Sequence, residues 1–406
     1  MLIRMHCRVL PHFMSIVAGC LLWYHWRMKK ILCGLFLAFI SFFPVSAQQA
    51  GLEINLPANQ ALPPQLYQPE LYAMAVIEEI TKEGEEDVAG VKQKFQEVKV
   101  RISSGKEHGK IVVVKHGGQV SVSENQLVKK GEKIVLVKTS STDGQEGYYI
   151  ADKYRLPWIF FAVVAFLILA IYFGRWKGAM SIAGLAFSIF VLLMFIVPAI
   201  LSGSSPFLVT LVGSCVIAVV SMLLAHGFSR RSLIAIASTL LTLVIAILLA
   251  VIFVHLIQLF GGGSDEAVYL RLDPSMHVNL QGLLLGGIII GTLGVLDDIT
   301  TAQVAVVDEL KKANASLSAH ELYSRALSIG REHIASLVNT LVLAYAGASL
   351  PLFLMFTLPD AQPFWVTFNS EFIAEEVVRT LVGSMTLILA VPLSSWIAAR
   401  YLWKKG

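Results

Sequence analysis

The sequence predicts a mainly α, polytopic helical membrane bundle of about seven spans, preceded by a small extracytoplasmic all-β domain of OB-like type. Three observations carry that expectation. Of 406 residues, 56% are hydrophobic and only 15% charged, with a mean hydropathy of +0.69, a balance that one or two soluble domains rarely show. After residue 155 the apolar residues gather into runs of span length. Between residues 48 and 155 they give way to charged residues, glycines and short β-branched runs. Cys7, Cys20, Cys33 and Cys215 are widely spaced, which argues against a disulfide scaffold or a Cys-ligated metal centre. No cofactor is expected.

Residues 1–47 read as an N-terminal extension plus a signal peptide. Met28-Lys29-Lys30 precedes an apolar run from Ile31 to Phe43, and Val45-Ser46-Ala47 follows it, the pattern of a secretory signal with cleavage after Ala47. The run is shorter than the roughly 20 residues a span needs. Met28 is the expected start. Val17-Ala18-Gly19-Cys20 offers an alternative lipobox, but the second signal-like run would then have no purpose.

Residues 48–155 have no span-length apolar segment. Leu56 to Pro69, with four prolines, reads as an extended arm. Candidate strands are Tyr72 to Ile80, Phe95 to Ile102, Lys110 to Lys115, Gln119 to Val122 and Lys133 to Val137, separated at Gly105, Gly109, Gly117-Gly118 and Gly131. Phe95, Val98, Val100 and Ile102 do not keep one alternation. An OB-like barrel raises the question of nucleic acid, but 14 basic against 15 acidic residues, with no basic stripe interleaved with aromatics, exclude it.

The membrane domain, residues 156–406, holds seven apolar runs: Leu156 to Phe173, Ala179 to Leu201, Pro206 to Ala225, Ser232 to Leu259, Leu280 to Leu296, Ile334 to Leu358 and Thr380 to Ala399. With residues 48–155 exported, the C-terminus falls in the cytoplasm. The inner loops then carry 11 basic and 6 acidic residues, and the outer loops 2 and 7, the asymmetry expected when basic loops resist translocation. Five basic residues and no acidic ones lie in 1–47, so the net +4 of the whole chain becomes −1 after cleavage. The outer carboxylates, Asp265, Glu266, Asp273, Asp360, Glu371, Glu375 and Glu376, read as a solvated acidic surface. His255 reads as an interfacial residue.

The fifth run is the most informative. Gly282, Gly286, Gly287, Gly291 and Gly294 place five glycines in thirteen residues, including two Gly-x-x-x-Gly pairs that let another backbone approach closely and permit a local break. Asp297 and Asp298 follow at the inner boundary, where an uncompensated charge is costly. On a continuing helix the two point about 100° apart, so Asp297 shares a face with Thr300 and Thr301. With Gln303 these residues form a candidate ion or proton site. The competing reading has Asp298 or Thr300 capping a following helix from Thr301 to Ala313. Arg331, Glu332 and Asn339 are candidate supporting residues, Arg331 as an ion-pair partner of the aspartates and Asn339 as an interhelical hydrogen-bonding group. A metal at the site is left open.

Gly291-Thr-Leu-Gly294-Val-Leu-Asp297-Asp298-Ile-Thr-Thr-Ala-Gln303, Ile329-Gly330-Arg331-Glu332 and Asn339 to Tyr345 together resemble the YibE/F-like family of bacterial membrane proteins. The resemblance covers roughly Tyr72 to the C-terminus. It implies an exported β-rich segment, a multi-span region and the bacterial cytoplasmic membrane, and it supplies no substrate. Glu332 stands where many relatives would carry Asp.

His-Glu-x-x-His, Gly-x-Ser-x-Gly and phosphate-loop patterns are absent, so an enzyme is not expected. A transporter or permease subunit is the leading expectation, with the lipid bilayer, a cytoplasmic ATPase and a homo-oligomer as partners. The alternative is a non-transporting envelope assembly or sensor module that binds an envelope protein through its β domain.

Overall fold

The computed structural model describes residues 71–88, 91–117, 122–140, 146–272, 278–355 and 363–403. The signal peptide with its Met28 start and Ala47 cleavage, the Cys20 alternative and the Leu56 to Pro69 arm lie outside them. Two compact units divide the described chain, one up to Ile168 and one from Leu169 onward.

The first unit is an antiparallel sheet of β1 (Leu71–Val88), β2 (Val91–Ile102), β3 (Ile111–Gly117), β4 (Lys133–Ser140) and β5 (Glu146–Lys153), in the order β3-β2-β1-β4-β5. The terminal strands of that order, β3 and β5, also approach one another. Ala75, Ile77, Val98, Val100, Ile102, Val114, Ile134 and Leu136 form its core. The broken alternation of β2 has a clear cause. Its inward phase is 96, 98, 100 and 102, and the first of these positions is a buried Gln96 whose amide accepts from Val128 N at 2.8 Å and donates to Val128 O at 3.2 Å. Phe95 therefore points the other way, opposite Gly84 in register and under the ammonium groups of Lys82 and Lys115. A Cβ at Gly84 would come within 3.1 Å of that ring.

Gly105, Gly109 and Gly131 break the strands as expected, each with positive φ, a conformation glycine adopts without a Cβ clash. Strand β5 was not among the expected strands, and Val122 lies outside any strand. The rest of the candidate strand Gln119 to Val122 is outside the described residues.

The membrane region begins with α1 (Leu156–Val191), which bends at Arg175, where φ is 51° and ψ −135°. A Cβ at Gly178 would meet the carbonyl oxygen of Ala170 at 2.1 Å. Eight residues of straight helix rise about 12 Å, so the chain turns back at Arg175 and makes two arms of the two predicted runs. A π-helical turn (Leu192–Ile196) and α2 (Val197–Leu201) complete the second arm. Then follow α3 (Pro206–His226), α4 (Arg230–Leu256), α5 (Asp265–Leu272), α6 (Leu280–Ala313), α7 (Ala319–Ala348), α8 (Leu350–Met355), α9 (Phe364–Phe368) and α10 (Glu371–Trp403).

Among the described residues five helices are long and apolar enough to cross a membrane, the first being the bent segment Leu156–Leu201 that contains two of the predicted runs. The predicted run Ile334 to Leu358 does not form one apolar helix. Polar residues fill the first half of α7, and the helix ends at Ala348, three residues ahead of Pro351 in α8. The polar segment Asp297 to His333 is a helical hairpin rather than a loop, turned by Asn314 to Ser318 and closed by a capping box between Ser318 and Glu321.

Helix α6 is central, packing against α10, α4, α3 and α7. At 34 residues it extends ~51 Å, well beyond the roughly 30 Å of a hydrocarbon core. Its last turns are still buried: Val304 and Val307 pack with Met222, Leu223, Ala235, Leu322, Ala326 and Ala398.

Candidate functional site

Asn279 caps α6 by accepting from Gly282 N at 3.0 Å. From there the helix is uninterrupted through both aspartates to Ala313. This corrects the capping reading of Asp298 and Thr300, which lie in mid-helix. No glycine or proline occurs between Val295 and Ala313, and burial of Val304 and Val307 carries the helix onward where local capping chemistry alone would have allowed a stop.

The five glycines divide into two faces. Gly282 and Gly286 lie against α3: a Cβ at Gly286 would sit 2.8 Å from Thr210 Oγ1 and 3.1 Å from Thr210 Cβ. Gly287, Gly291 and Gly294 follow i, i+4, i+7 spacing on another face. Gly287 and Gly294 have no neighbour within 4 Å, and Gly291 faces only the Tyr345 hydroxyl at 3.4 Å. The second Gly-x-x-x-Gly pair is therefore not a close helix contact, and the helix does not break at any of the five.

Asp298 continues the open stripe and is exposed, whereas Asp297 is turned toward the bundle and only partly exposed. Its Oδ1 is buried without a hydrogen-bond partner among the described residues. Thr300 and Thr301 do not bind that carboxylate, although the Thr300 hydroxyl lies 3.4 Å from the Asp297 carbonyl oxygen. The Thr300 hydroxyl donates to Leu296 O at 2.9 Å and pairs with Thr239 Oγ1 of α4 at 2.6 Å, while Thr301 Oγ1 has no partner. Gln303, fully buried, accepts at Oε1 from the Ser395 hydroxyl of α10 at 3.0 Å. Its Nε2 has no partner. Gly330 of α7 presses on the same amide, since a Cβ there would lie 3.0 Å from Gln303 Nε2 and 2.4 Å from Val391 Cγ1. The proposed oxygen cluster is thus distributed over three helix contacts rather than gathered on one point. Among the described residues no group of three or more His, Cys, Asp or Glu is arranged to hold a metal ion.

Two supporting assignments are corrected. Arg331 and Glu332 are exposed, and no ion pair joins Arg331 to either aspartate. Asn339 is exposed and makes no interhelical bond. Helix α7 packs through Leu322, Ala326, Gly330 and Leu341, and Asn339, nine positions from Gly330, falls on the opposite side at 100° per residue. The sequence reading missed Ser395 and Gly330 as neighbours of Gln303; a serine pair, Ser394-Ser395, in an apolar helix was the available signal.

The acidic outer surface is also corrected in part. Glu371 Oε1 accepts from Phe260 N at 2.6 Å, and Glu375 Oε1 from Gly263 N at 2.9 Å. Glu375 is only 6% exposed. One helical turn of α10 therefore clamps Gly261-Gly262-Gly263, where a Cβ at Gly263 would lie 2.8 Å from Phe372 Cα. Asp273 and Asp360 are outside the described residues.

The sequence pattern of a family described as YibE/F-like protein matches residues 162–404. No curated protein and no solved structure matches the chain.

Proposed function

The chain belongs to the YibE/F-like family, and from that premise and the geometry of α6 we propose a transporter or permease subunit with a proton- or cation-responsive site at the inner end of the fifth apolar run, midway along α6. One observation carries the reading. Asp297 Oδ1, Thr301 Oγ1 and Gln303 Nε2, three buried polar atoms without a partner among the described residues, lie within seven residues. Each such group costs about 1–3 kcal/mol, and ionisable residues retained at membrane depth mark ion and proton pathways. In this reading Asp297 exchanges the proton or cation, and Asp298, exposed beside the side-chain-free stripe of Gly287, Gly291 and Gly294, is its aqueous outlet. Gln303 links the change to α7 and α10.

The same reading sets the chain in the bacterial cytoplasmic membrane, its C-terminus inside and residues 48–155 outside. It counts seven crossings, two of them the arms of α1 and one formed from Ile334 onward. The β unit is OB-like, supported by the order β3-β2-β1-β4-β5 and the approach of β3 to β5. The chain carries no nucleotide motif, so an ATPase would be a separate cytoplasmic partner docking on the α6–α7 hairpin. Proteoliposomes loaded with a pH-sensitive dye test the site: an imposed potential should drive proton movement that Asp297→Asn abolishes. Equal flux in parent and Asp297→Asn vesicles would sink the assignment.

A second reading, an envelope assembly or sensor module, is favoured by apolar side chains on an edge strand of the sheet, Ile111 at 51% and Val113 at 58% exposure. A stoichiometric envelope protein co-purifying through this strand, without transport, would select it.

A further inference from the structure

Four membrane helices meet around a recess of about 150 Å³, lined by Lys177, Met222, His226, Ser229, Arg231, Ser232, Ala235 and Thr301. At about 30 Å³ per water it holds several water-sized groups. The elements that meet there are the second arm of α1, the end of α3, the start of α4 and the middle of α6. Its chemistry is one-sided. Lys177 and Arg231 have no ion-pair partner among the described residues. His226 is within electrostatic reach of both cations and of Asp298, the acidic group on this side. Two hydroxyls complete the wall. Ser229 is the N-cap of α4, accepting from Ser232 N at 3.1 Å with its Oγ 2.9 Å from Ser232 Oγ.

We infer that this recess is a binding site for a phosphate-type oxyanion, with Lys177 and Arg231 as charge partners and Ser229 and Ser232 as hydroxyl donors. Cations alone would make a diffuse basic surface. Here they stand around a concave wall that also offers two hydroxyls and the positive end of a helix dipole. An arginine presents a planar fork to phosphate oxygens and a lysine a point charge. Two sources supply that chemistry, free inorganic phosphate and the headgroup of an anionic phospholipid, the latter because basic pockets between helices on the inner side suit such headgroups. The inference rests on the recess and not on the role of Asp297.

The test uses the full chain in two arms. In detergent micelles inorganic phosphate is titrated calorimetrically; in phosphatidylcholine nanodiscs doped with phosphatidylglycerol, retained lipid is read by native mass spectrometry. Saturable phosphate binding identifies a free oxyanion, and selective phosphatidylglycerol retention without it identifies a headgroup. In either case Lys177→Gln with Arg231→Gln should weaken binding about tenfold or more, Lys177→Arg should preserve it, and Arg325→Gln on the exposed face of α7 should leave it unchanged. Lys177→Gln by itself, at an exposed position, should weaken it as well and decides alone if the double variant fails to fold. Absence of saturable binding in both arms, or equal weakening by Arg325→Gln, overturns the proposal.

Discussion

Thr239 on α4 and Thr300 on α6 are both completely buried, and their hydroxyl oxygens lie 2.6 Å apart. Thr300 Oγ1 has its own Leu296 carbonyl as a second acceptor and Thr239 Oγ1 has Met222 Sδ, so the hydroxyl pair joins the two helices three residues from Asp297 whichever oxygen donates. It fixes the rotation of α6 that turns Asp297 inward and leaves Asp298 on the open stripe.

Thr239→Val and Thr300→Val should each destabilise the bundle, and a double-mutant cycle should yield a coupling of about 0.6–1.7 kcal/mol. Unfolding in bicelles measures it. A coupling indistinguishable from zero would show that the two helices are held by apolar packing alone.

The two glycine faces of α6 make opposite predictions. Gly286→Val drives a side chain into Thr210 and should cost about 1–3 kcal/mol, partly recovered by Thr210→Ala. Gly287→Ala and Gly294→Ala enter open space and should be neutral or stabilising by up to about 1 kcal/mol, the helix-propensity gain over glycine. Thermal stability in one detergent compares all four variants, and similar losses at Gly286 and Gly287 would contradict the division.

In the loop before α5, Glu375→Ala removes the acceptor for Gly263 N–H and Glu371→Ala the acceptor for Phe260 N–H. Charge-assisted bonds of this kind contribute about 1.5–3 kcal/mol each. Hydrogen exchange should accelerate at residues 260–263 in these variants while the amides of α6 keep their protection. Uniform acceleration across the bundle would mean that the carboxylates support the fold globally rather than clamp this loop.

The β unit has its own acid response. Lys138, the Tyr148 hydroxyl and Lys110 hold the Glu107 carboxyl down from the usual 4.5 to about 2. A carboxyl depressed by folding contributes stability that is complete above its unfolded value and disappears as pH falls through the folded one, so the contribution should fade between about pH 4.5 and 2. Amide exchange in β4 and β5, followed over that window, should respond to pH more steeply in the parent than in Glu107→Gln. Parallel profiles would rule out this carboxyl as the source.

Periodicity and charge bias are local, and they suffice to divide the chain. Most of the apolar runs, the turn at Gly105 and Gly109, the polar segment after Asp297 and the importance of α6 were readable in order along the sequence. Gln96 and Asn339 show where such reading stops. The first occupies an inward strand position because Val128, distant in sequence, supplies both its hydrogen-bond partners; the second is turned outward because α7 packs through Gly330 and Leu341. The same holds at the site. Sequence placed Asp297, Asp298, Thr300, Thr301 and Gln303 within seven residues and left open whether one helix runs through them. Only the packing of α4, α7 and α10 around that helix decided that Thr300 is engaged by Thr239, that Gln303 is held by Ser395, and that Asp297 and Thr301 keep unpartnered atoms. Spacing sets angles about a helix axis, whereas burial and hydrogen bonding depend on which neighbours occupy each angle.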